Sequence, residues 1–300
     1  MEGTESNHSL EKFDLPLGDH PDYSIIVSLY NRLDLTVAFL KTLELTLQGI
    51  SYEVILIDDG STDGTRDYLQ QLRPPYRILL NERRRSYSVN NNLGASVARA
   101  EVLVLLNNDL LLSPGWFHPM VQLLNSNPDV GAVGNIQMSP RTGLVDHAGV
   151  AFHKDGSSFH SWKNRRFPPK GEFREMKAAS AACLMIKRQR FLDAGGFDER
   201  FINSSEDIDL CIRLKLQDYR ILIANRSVIY HHGSSSPGRL EYVTENEEIL
   251  QSKWSEILRA WGRDEWAEEY LHRYARHVWR MRPTLALWAL VSVAKKRLWG

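Results

Sequence analysis

The chain has 300 residues, 43% hydrophobic and 25% charged, which suits one large or two modest globular domains and excludes general disorder. Lys plus Arg and Asp plus Glu are both 37, so no overall field recruits nucleic acid, and any charged partner is read from local patches. Two cysteines, Cys183 and Cys211, give neither a disulfide framework nor a zinc-type cluster and fit a reducing cytoplasm.

Residues 1–22 are polar, without the apolar stretch of a signal peptide, and are expected to form a mobile N-terminal arm. Tyr23 to Leu29 is a β-rich run that stops at Tyr30-Asn31-Arg32, and Leu33 to Leu47 shows helical spacing. Tyr52 to Ile57 is a second strand, ending in Asp58-Asp59-Gly60-Ser61-Thr62-Asp63-Gly64-Thr65, where Ser61, Thr62 and Asp63 can cap a helix over 66–72. Arg77 to Leu80 reads as a third strand, Arg83-Arg84-Arg85 as a basic run and 92–100 as a helix. Val102 to Leu106 is too short to span a membrane and has the length of a strand buried on both faces. It breaks off in Asn107-Asn108-Asp109, at the strand end where open α/β sheets bind ligands. A helix over 114–125 and a strand over 130–136 follow.

From Ser139 to Lys177 the pattern loosens into a long loop region with Lys163, Arg165, Arg166, Lys170 and Arg174. Strands over 179–186, 219–224 and 227–230 flank the acidic segment Glu206-Asp207-Ile208-Asp209 and its helix, and lead to His231-His232-Gly233 and Ser234-Ser235-Ser236. After Leu240 the texture is helical, with Leu250, Trp254, Ile257, Leu258 and Trp261 at helical spacing. From Tyr270 onward there are seven Lys or Arg and no acid, a composition that suits either an anionic membrane surface or a solvated face over a packed stripe. Leu285 to Ala294 is short of the roughly 20 residues of a spanning helix, so no transmembrane helix is expected. Alternating strands and helices imply a mostly parallel α/β sheet, and no Gly-x-Gly-x-x-Gly follows the first strand, which argues against a dehydrogenase.

Four polar clusters stand at strand or helix ends: Asp58-Asp59, Asn108-Asp109, Glu206-Asp207 and His231-His232. Together with Gly195-Gly196-Phe197-Asp198-Glu199 and the segment Glu206 to Arg213, they resemble the family 2 glycosyltransferases of GT-A fold, in the rhamnosyltransferase-like branch, over residues 23–236. The resemblance implies a Rossmann-like nucleotide-binding domain over 23–239, with a C-terminal helical, basic region over 240–300. It implies Tyr30, Asn31, Asp58, Asp59, Asn91 and Asn108 as nucleotide-sugar contacts, Asp109 with His231 as metal ligands, and Asp207 with Glu206 as the catalytic pair.

The chemistry supports these assignments. A nucleoside diphosphate leaves as a dianion, whose charge a divalent cation, Mn²⁺ or Mg²⁺, offsets through hard oxygen ligands. A carboxylate such as Asp59 or Asp58 accepts a pyrimidine N–H. An acceptor hydroxyl needs a general base as it attacks the anomeric carbon, and Asp207 is the candidate, with Glu206 raising its basicity where the two come close. Arg83-Arg84-Arg85 and Ser234 to Ser236 are further candidates for phosphate contact. Ala100, Ala181-Ala182 and Asn107 depart from the family pattern, the last leaving Asp109 as the one carboxylate of its motif.

The expectation is an inverting, metal-dependent transferase using a UDP- or dTDP-sugar and a glycan or lipid-linked glycan acceptor in cell-surface polysaccharide synthesis. It would be cytoplasmic, with the basic tail a candidate for peripheral membrane contact. A sugar nucleotidyltransferase and a non-catalytic nucleotide- or glycan-binding module are the alternatives. The first should carry a Gly-rich basic loop after the first strand, where Tyr30-Asn31-Arg32-Leu33 stands instead.

Overall fold

The structure is a computed structural model and describes residues 20–233, 241–274 and 278–299. Most of the N-terminal arm and Ser234 to Ser236 therefore lie outside the described residues. In chain order the elements are β1 (Tyr23–Leu29), α1 (Leu33–Thr46), β2 (Tyr52–Asp58), α2 (Thr65–Leu69), β3 (Tyr76–Leu80), α3 (Tyr87–Val97), β4 (Val102–Leu106), β5 (Leu110–Leu112) and α4 (Phe117–Ser126). Then come β6 (Val130–Met138), β7 (Val145–His147), β8 (Val150–Phe152), β9 (Ser158–His160), β10 (Phe173–Met176), β11 (Cys183–Lys187) and α5 (Arg188–Asp193). The chain continues with α6 (Glu206–Lys215), β12 (Arg220–His231), α7 (Val243–Tyr274), a 3-10 turn (Val278–Arg280) and α8 (Pro283–Trp299).

The main sheet runs β10-β12-β6-β11-β4-β1-β2-β3, with β5 on β12 and β7 on β6. β1, β2, β3 and β4 pair in parallel, as do β6 and β12, while β11 runs antiparallel between β4 and β6. The expected mostly parallel sheet is present, and its carboxyl edge gathers the ends of β1, β2, β4 and β12.

Alternation along the strands explains the continuous apolar runs. Ile25, Val27, Leu29, Val54, Leu56, Val104 and Leu106 pack with Phe39, Leu40 and Leu43 of α1 and Met120 and Leu124 of α4. Ile26, Ile55, Ile57, Leu103 and Leu105 enter the opposite cluster, with Ala95 of α3 and Ile208 and Ile212 of α6. Both faces are covered, so neither needs a polar stripe.

Several expected boundaries move. The helix read over 92–100 is α3, five residues earlier, because Ser86 caps it by accepting from Val89 N at 3.2 Å. The two strands read over 219–230 are one, β12, whose register against β6 shifts between Ala224 and Val228. The region 139–177 is not one loop but contains β7 to β10, strands of three or four residues whose shortness leaves little periodic signal.

The C-terminal boundary at 239/240 does not separate two cores. Leu250 and Leu258 of α7 are buried in the same cluster as Ile26 and Leu103. Gly262 of α7 lies so close to the β8–β9 hairpin that an added Cβ would stand 1.9 Å from the His153 carbonyl oxygen. Glu265 Oε2 accepts from Phe152 N at 3.2 Å, and Lys154 Nζ sits 3.5 Å over the Trp266 ring.

Candidate active site

At the carboxyl edge a cavity of about 380 Å³ opens, within the roughly 300–1,000 Å³ of small-molecule sites. One wall is built from strand ends and the loop before α3, supplying Tyr30, Asp59, Arg84, Asn108 and Asp109. The rest of the lining comes from the start of α6 with Glu206 and Asp207, the β8–β9 hairpin with Ser158 and His160, and the first turns of α7 with Glu247 and Gln251.

Strand pleating decides which of two adjacent carboxylates reaches this space. Asp58 continues the α1 side of β2 and is fully buried; it accepts from Ser61 N at 3.2 Å and from Arg66 Nε and Nη2 at 3.1 and 3.0 Å. Asp59, one residue on, takes the opposite side and lines the cavity. Its Oδ1 accepts from Asn81 Nδ2 at 3.1 Å and Arg85 N at 2.9 Å, and its Oδ2 stands 3.9 Å from Arg84 Nε. Arg84 also lies 4.2 Å over the Tyr30 ring, so the middle member of the basic run belongs to the site.

Asn31 and Asn91 are not among the residues that line the cavity. Asn31, in the left-handed region at φ 54°, donates its N–H to Ser61 Oγ and accepts from Thr62 N, both at 2.8 Å, clamping the loop after β2. Asn91 is buried in α3 and donates to Tyr87 O at 2.8 Å. Asp63 accepts from Leu33 N and Thr65 N, both at 3.1 Å, so one side chain serves the starts of α1 and α2. The aspartate- and serine-rich motif is thus largely a scaffold that presents Asp59.

Asn108 lines the cavity and donates to Thr36 Oγ1 of α1 at 2.9 Å. Asp109 is buried, and its Oδ1 lies 3.2 Å from His231 Nε2 at the end of β12. His231 Nδ1 is 2.8 Å from Gln137 Oε1 on β6. A neutral His231 that donates Nδ1–H to this oxygen turns its Nε2 lone pair toward the Asp109 carboxylate, an opposition that a shared cation relieves. Hard carboxylate oxygen suits Mn²⁺ or Mg²⁺, and of the two Mn²⁺ is the better match to imidazole nitrogen. Among the described residues no group of three or more His, Cys, Asp or Glu is arranged to hold a metal ion. The donor set therefore fits an ion that takes its remaining ligands from phosphate and water rather than an all-protein cage.

Elsewhere in the lining, the turn before α6 places Asn203 and Ser205 in the left-handed region at φ 61° and 69°, bringing Glu206 and Asp207 into the first helical turn. Asp207 Oδ2 accepts from Ala181 N at 3.0 Å and Oδ1 from Ile208 N at 2.8 Å. Tyr87 donates its hydroxyl to Ala181 O at 2.8 Å; burial, with Glu206 and Asp207 nearby, raises its pKa well above the usual range and keeps it a donor. Asp209 points away and is held by Arg213 at 2.8 Å, Lys253 at 2.5 Å and Trp254 Nε1 at 2.7 Å. Arg213 also donates to Ala194 O and Gly196 O, so much of the Gly-Gly-Phe-Asp-Glu and Glu-Asp-Ile-Asp pattern is a brace behind Glu206 and Asp207.

The hairpin and α7 residues carry no sequence signal for this site, since only tertiary packing brings them to it. His160 holds Nδ1 3.1 Å from Asp146 O, with its ring edge-on to His147 at 4.9 Å. Burial lowers the pKa of both, and that of His147 far below its ordinary value.

The sequence profile of the family described as Glycosyl transferase family 2 matches residues 24–191. The O-antigen biosynthesis protein RfbC of Myxococcus xanthus is 32% identical over 231 residues, a stretch covering 74% of this chain and 18% of that protein. An N-acetylglucosaminyl-diphospho-decaprenol L-rhamnosyltransferase of Mycobacterium tuberculosis is 26% identical, covering 67% of this chain and 73% of its own length. Among solved structures, GalNAc-T7 with UDP, GalNAc and Mn²⁺ superposes with a TM-score of 0.59 at 17% identity, covering 77% of this chain and 48% of that one. The mannosyltransferase PcManGT of Pyrobaculum calidifontis, in complex with GDP-Man and Mn²⁺, gives a TM-score of 0.54 at 17% identity over 93% and 88% of the two chains. These neighbours share the fold, and the GT-A arrangement expected from the sequence is the one observed.

Proposed function

Because the chain belongs to glycosyl transferase family 2, we propose that it moves a sugar from a UDP- or dTDP-sugar to a hydroxyl of a glycan or lipid-linked glycan, inverting the anomeric carbon, in cell-surface polysaccharide synthesis. The observation that carries this reading is one cavity lined by both Asp109, backed by His231, and Asp207. The names of the bacterial relatives support the polysaccharide setting and a lipid-linked acceptor.

In this reading Tyr30 and Arg84 receive the base and Asp59 its N–H, with Asn108 beside the ribose and diphosphate. Asn31, Asp58 and Asn91 hold the loops and helix that present those groups. Asp109 and His231 would hold a divalent cation, which when bound offsets the charge developing on the departing diphosphate. Asp207 accepts the proton of the acceptor hydroxyl as that oxygen attacks, in one displacement that inverts the anomeric carbon. The backbone N–H groups of Ala181 and Ile208 fix the direction of its carboxylate. The hairpin and α7 wall, with Ser158, Glu247 and Gln251, supplies hydroxyl-bonding groups for the acceptor. A cytoplasmic site of action, at the inner face of a membrane, completes the proposal.

The test is thermal unfolding with UDP, dTDP and GDP, each with and without Mn²⁺, on the intact chain and on Asp109→Ala. A nucleotide at 100 times its dissociation constant stabilises by roughly 2.7 kcal/mol. Metal-dependent stabilisation by a pyrimidine nucleotide, lost in the variant, supports the reading. Silence toward every nucleotide overturns it, and stabilisation without sugar transfer to any acceptor moves the non-catalytic module forward.

A further inference from the structure

Helix α8 is built inside out for a soluble domain. The residues it withdraws from solvent are Leu285, Ala286, Ala289, Ser292 and Val293, spaced as one helical face, and its partner is α7. Most of these are small, and Ala289 is fully buried. The other side carries Leu287, Trp288, Leu290 and Val291, exposed by 63, 67, 55 and 45%. A helix that rests on a globular core shows the reverse order, with its larger apolar side chains inward. The preceding 3-10 turn adds exposed Val278 and Trp279 beside this face.

The stretch of chain that carries this apolar face is charged with one sign. Arg280 and Arg282 precede the helix, Lys295, Lys296 and Arg297 fall near its end, and no Asp or Glu occurs from Tyr270 to Gly300. A protein partner of mixed charge gives no reason for that purity, whereas an anionic lipid surface does. Tryptophan, apolar in body and polar at one edge, is also the side chain favoured at the headgroup boundary. Among the described residues no helix is long and apolar enough to cross a membrane, so the contact would lie in the plane of the interface.

We propose that α8 docks this protein on an anionic lipid bilayer, with Leu287, Trp288, Leu290 and Val291 in the headgroup and acyl boundary and the preceding Arg280 and Arg282 over the lipid phosphates. This deepens the lipid-linked reading of the acceptor and rests on it for its purpose, while the docking itself is tested without any sugar chemistry.

The full chain is sedimented with phosphatidylcholine vesicles with and without phosphatidylglycerol, at low and raised salt. The expected result is binding to the phosphatidylglycerol vesicles alone, weakened by salt, and reduced about tenfold or more in the triple variant Leu287→Ser, Trp288→Ser, Val291→Ser. All three positions are exposed, so the variant should keep its melting temperature and its transfer to a water-soluble acceptor. The proposal is overturned if the chain ignores both vesicle types, if the variant binds as well as the parent, or if the face instead pairs two copies into a dimer that the variant lacks. Failure of transfer with vesicle binding intact would count against the transferase reading and leave the docking standing.

Discussion

Two buried carboxylates of the central sheet, one near each end of its strands, stand in different surroundings. At the amino end, Glu53 of β2 is fully buried, yet its oxygens accept from Ser24 Oγ at 2.6 Å, Arg99 N at 2.8 Å, Arg77 at 2.7 Å and Arg99 Nε at 3.1 Å. At the carboxyl end, Asp109 faces His231 at 3.2 Å, while Gln137 Nε2 and His147 Nδ1 are buried without a hydrogen-bond partner among the described residues. A buried ion tied by four donors locks strands in place, whereas a carboxylate beside an imidazole is the kind of pair that a cation can join.

The widest break in this contrast comes from Asp207→Asn. If Asp207 is the base, as proposed, its loss should lower turnover by roughly a hundred to ten thousandfold, with nucleotide affinity and melting temperature close to the parent's. Steady-state kinetics beside thermal unfolding reads both, and an equal loss of stability would make Asp207 a structural group like Glu53.

Glu53→Leu should show the mirror image. Stranding Arg77, Arg99 and Ser24 should cost about 3 kcal/mol of stability, measured by denaturant unfolding, while metal-dependent nucleotide binding survives in the folded fraction. Burial alone would raise the pKa of Glu53, but the hydrogen bonds from Ser24, Arg99 and Arg77 outweigh it and hold the group below its ordinary value of 4.5. Its contribution is therefore complete above that value and is lost as pH falls through the lower, folded-state value. The parent should lose stability as the solution is acidified below about pH 4.5, and Glu53→Leu should lose the part of that slope due to this group.

The finest test is Gln137→Leu, a position that is not in the cavity lining but supplies the acceptor at His231 Nδ1. Such outer partners of a metal ligand are worth about 10- to 100-fold in affinity. Mn²⁺ titration followed by electron paramagnetic resonance should show that loss with little change in melting temperature. Unchanged affinity would mean that the ring is oriented by β12 alone.

Much of this organisation was legible in the chain. Buried parallel strands read as unbroken apolar runs, and a run that stops dead in Asn107-Asn108-Asp109 or Asp58-Asp59 announces the edge where ligands bind. What could not be read was which of two neighbouring carboxylates faces the cavity, because the pleat assigns Asp58 to Arg66 and Asp59 to the open side. The rest of the lining was hidden for another reason: Ser158, His160, Glu247 and Gln251 reach the site only because α7 folds back over a hairpin of three-residue strands. The basic tail suited packing or a membrane equally well on paper. The orientation of α8 about its axis, with Ala289 inward and Trp288 outward, is what the membrane proposal adds to that composition.

The contact at Gly262 makes α7 a ruler. The helix begins at the cavity wall with Val243, and its 32 residues measure about 48 Å at 1.5 Å per residue. With no space for even a methyl group where it crosses His153, it cannot slide along the hairpin or roll on it without breaking that contact. On the proposed reading, packing of α8 on this fixed helix holds the cavity at a set height over the lipid, and an acceptor tethered there would be selected by its height as well as by its sugars.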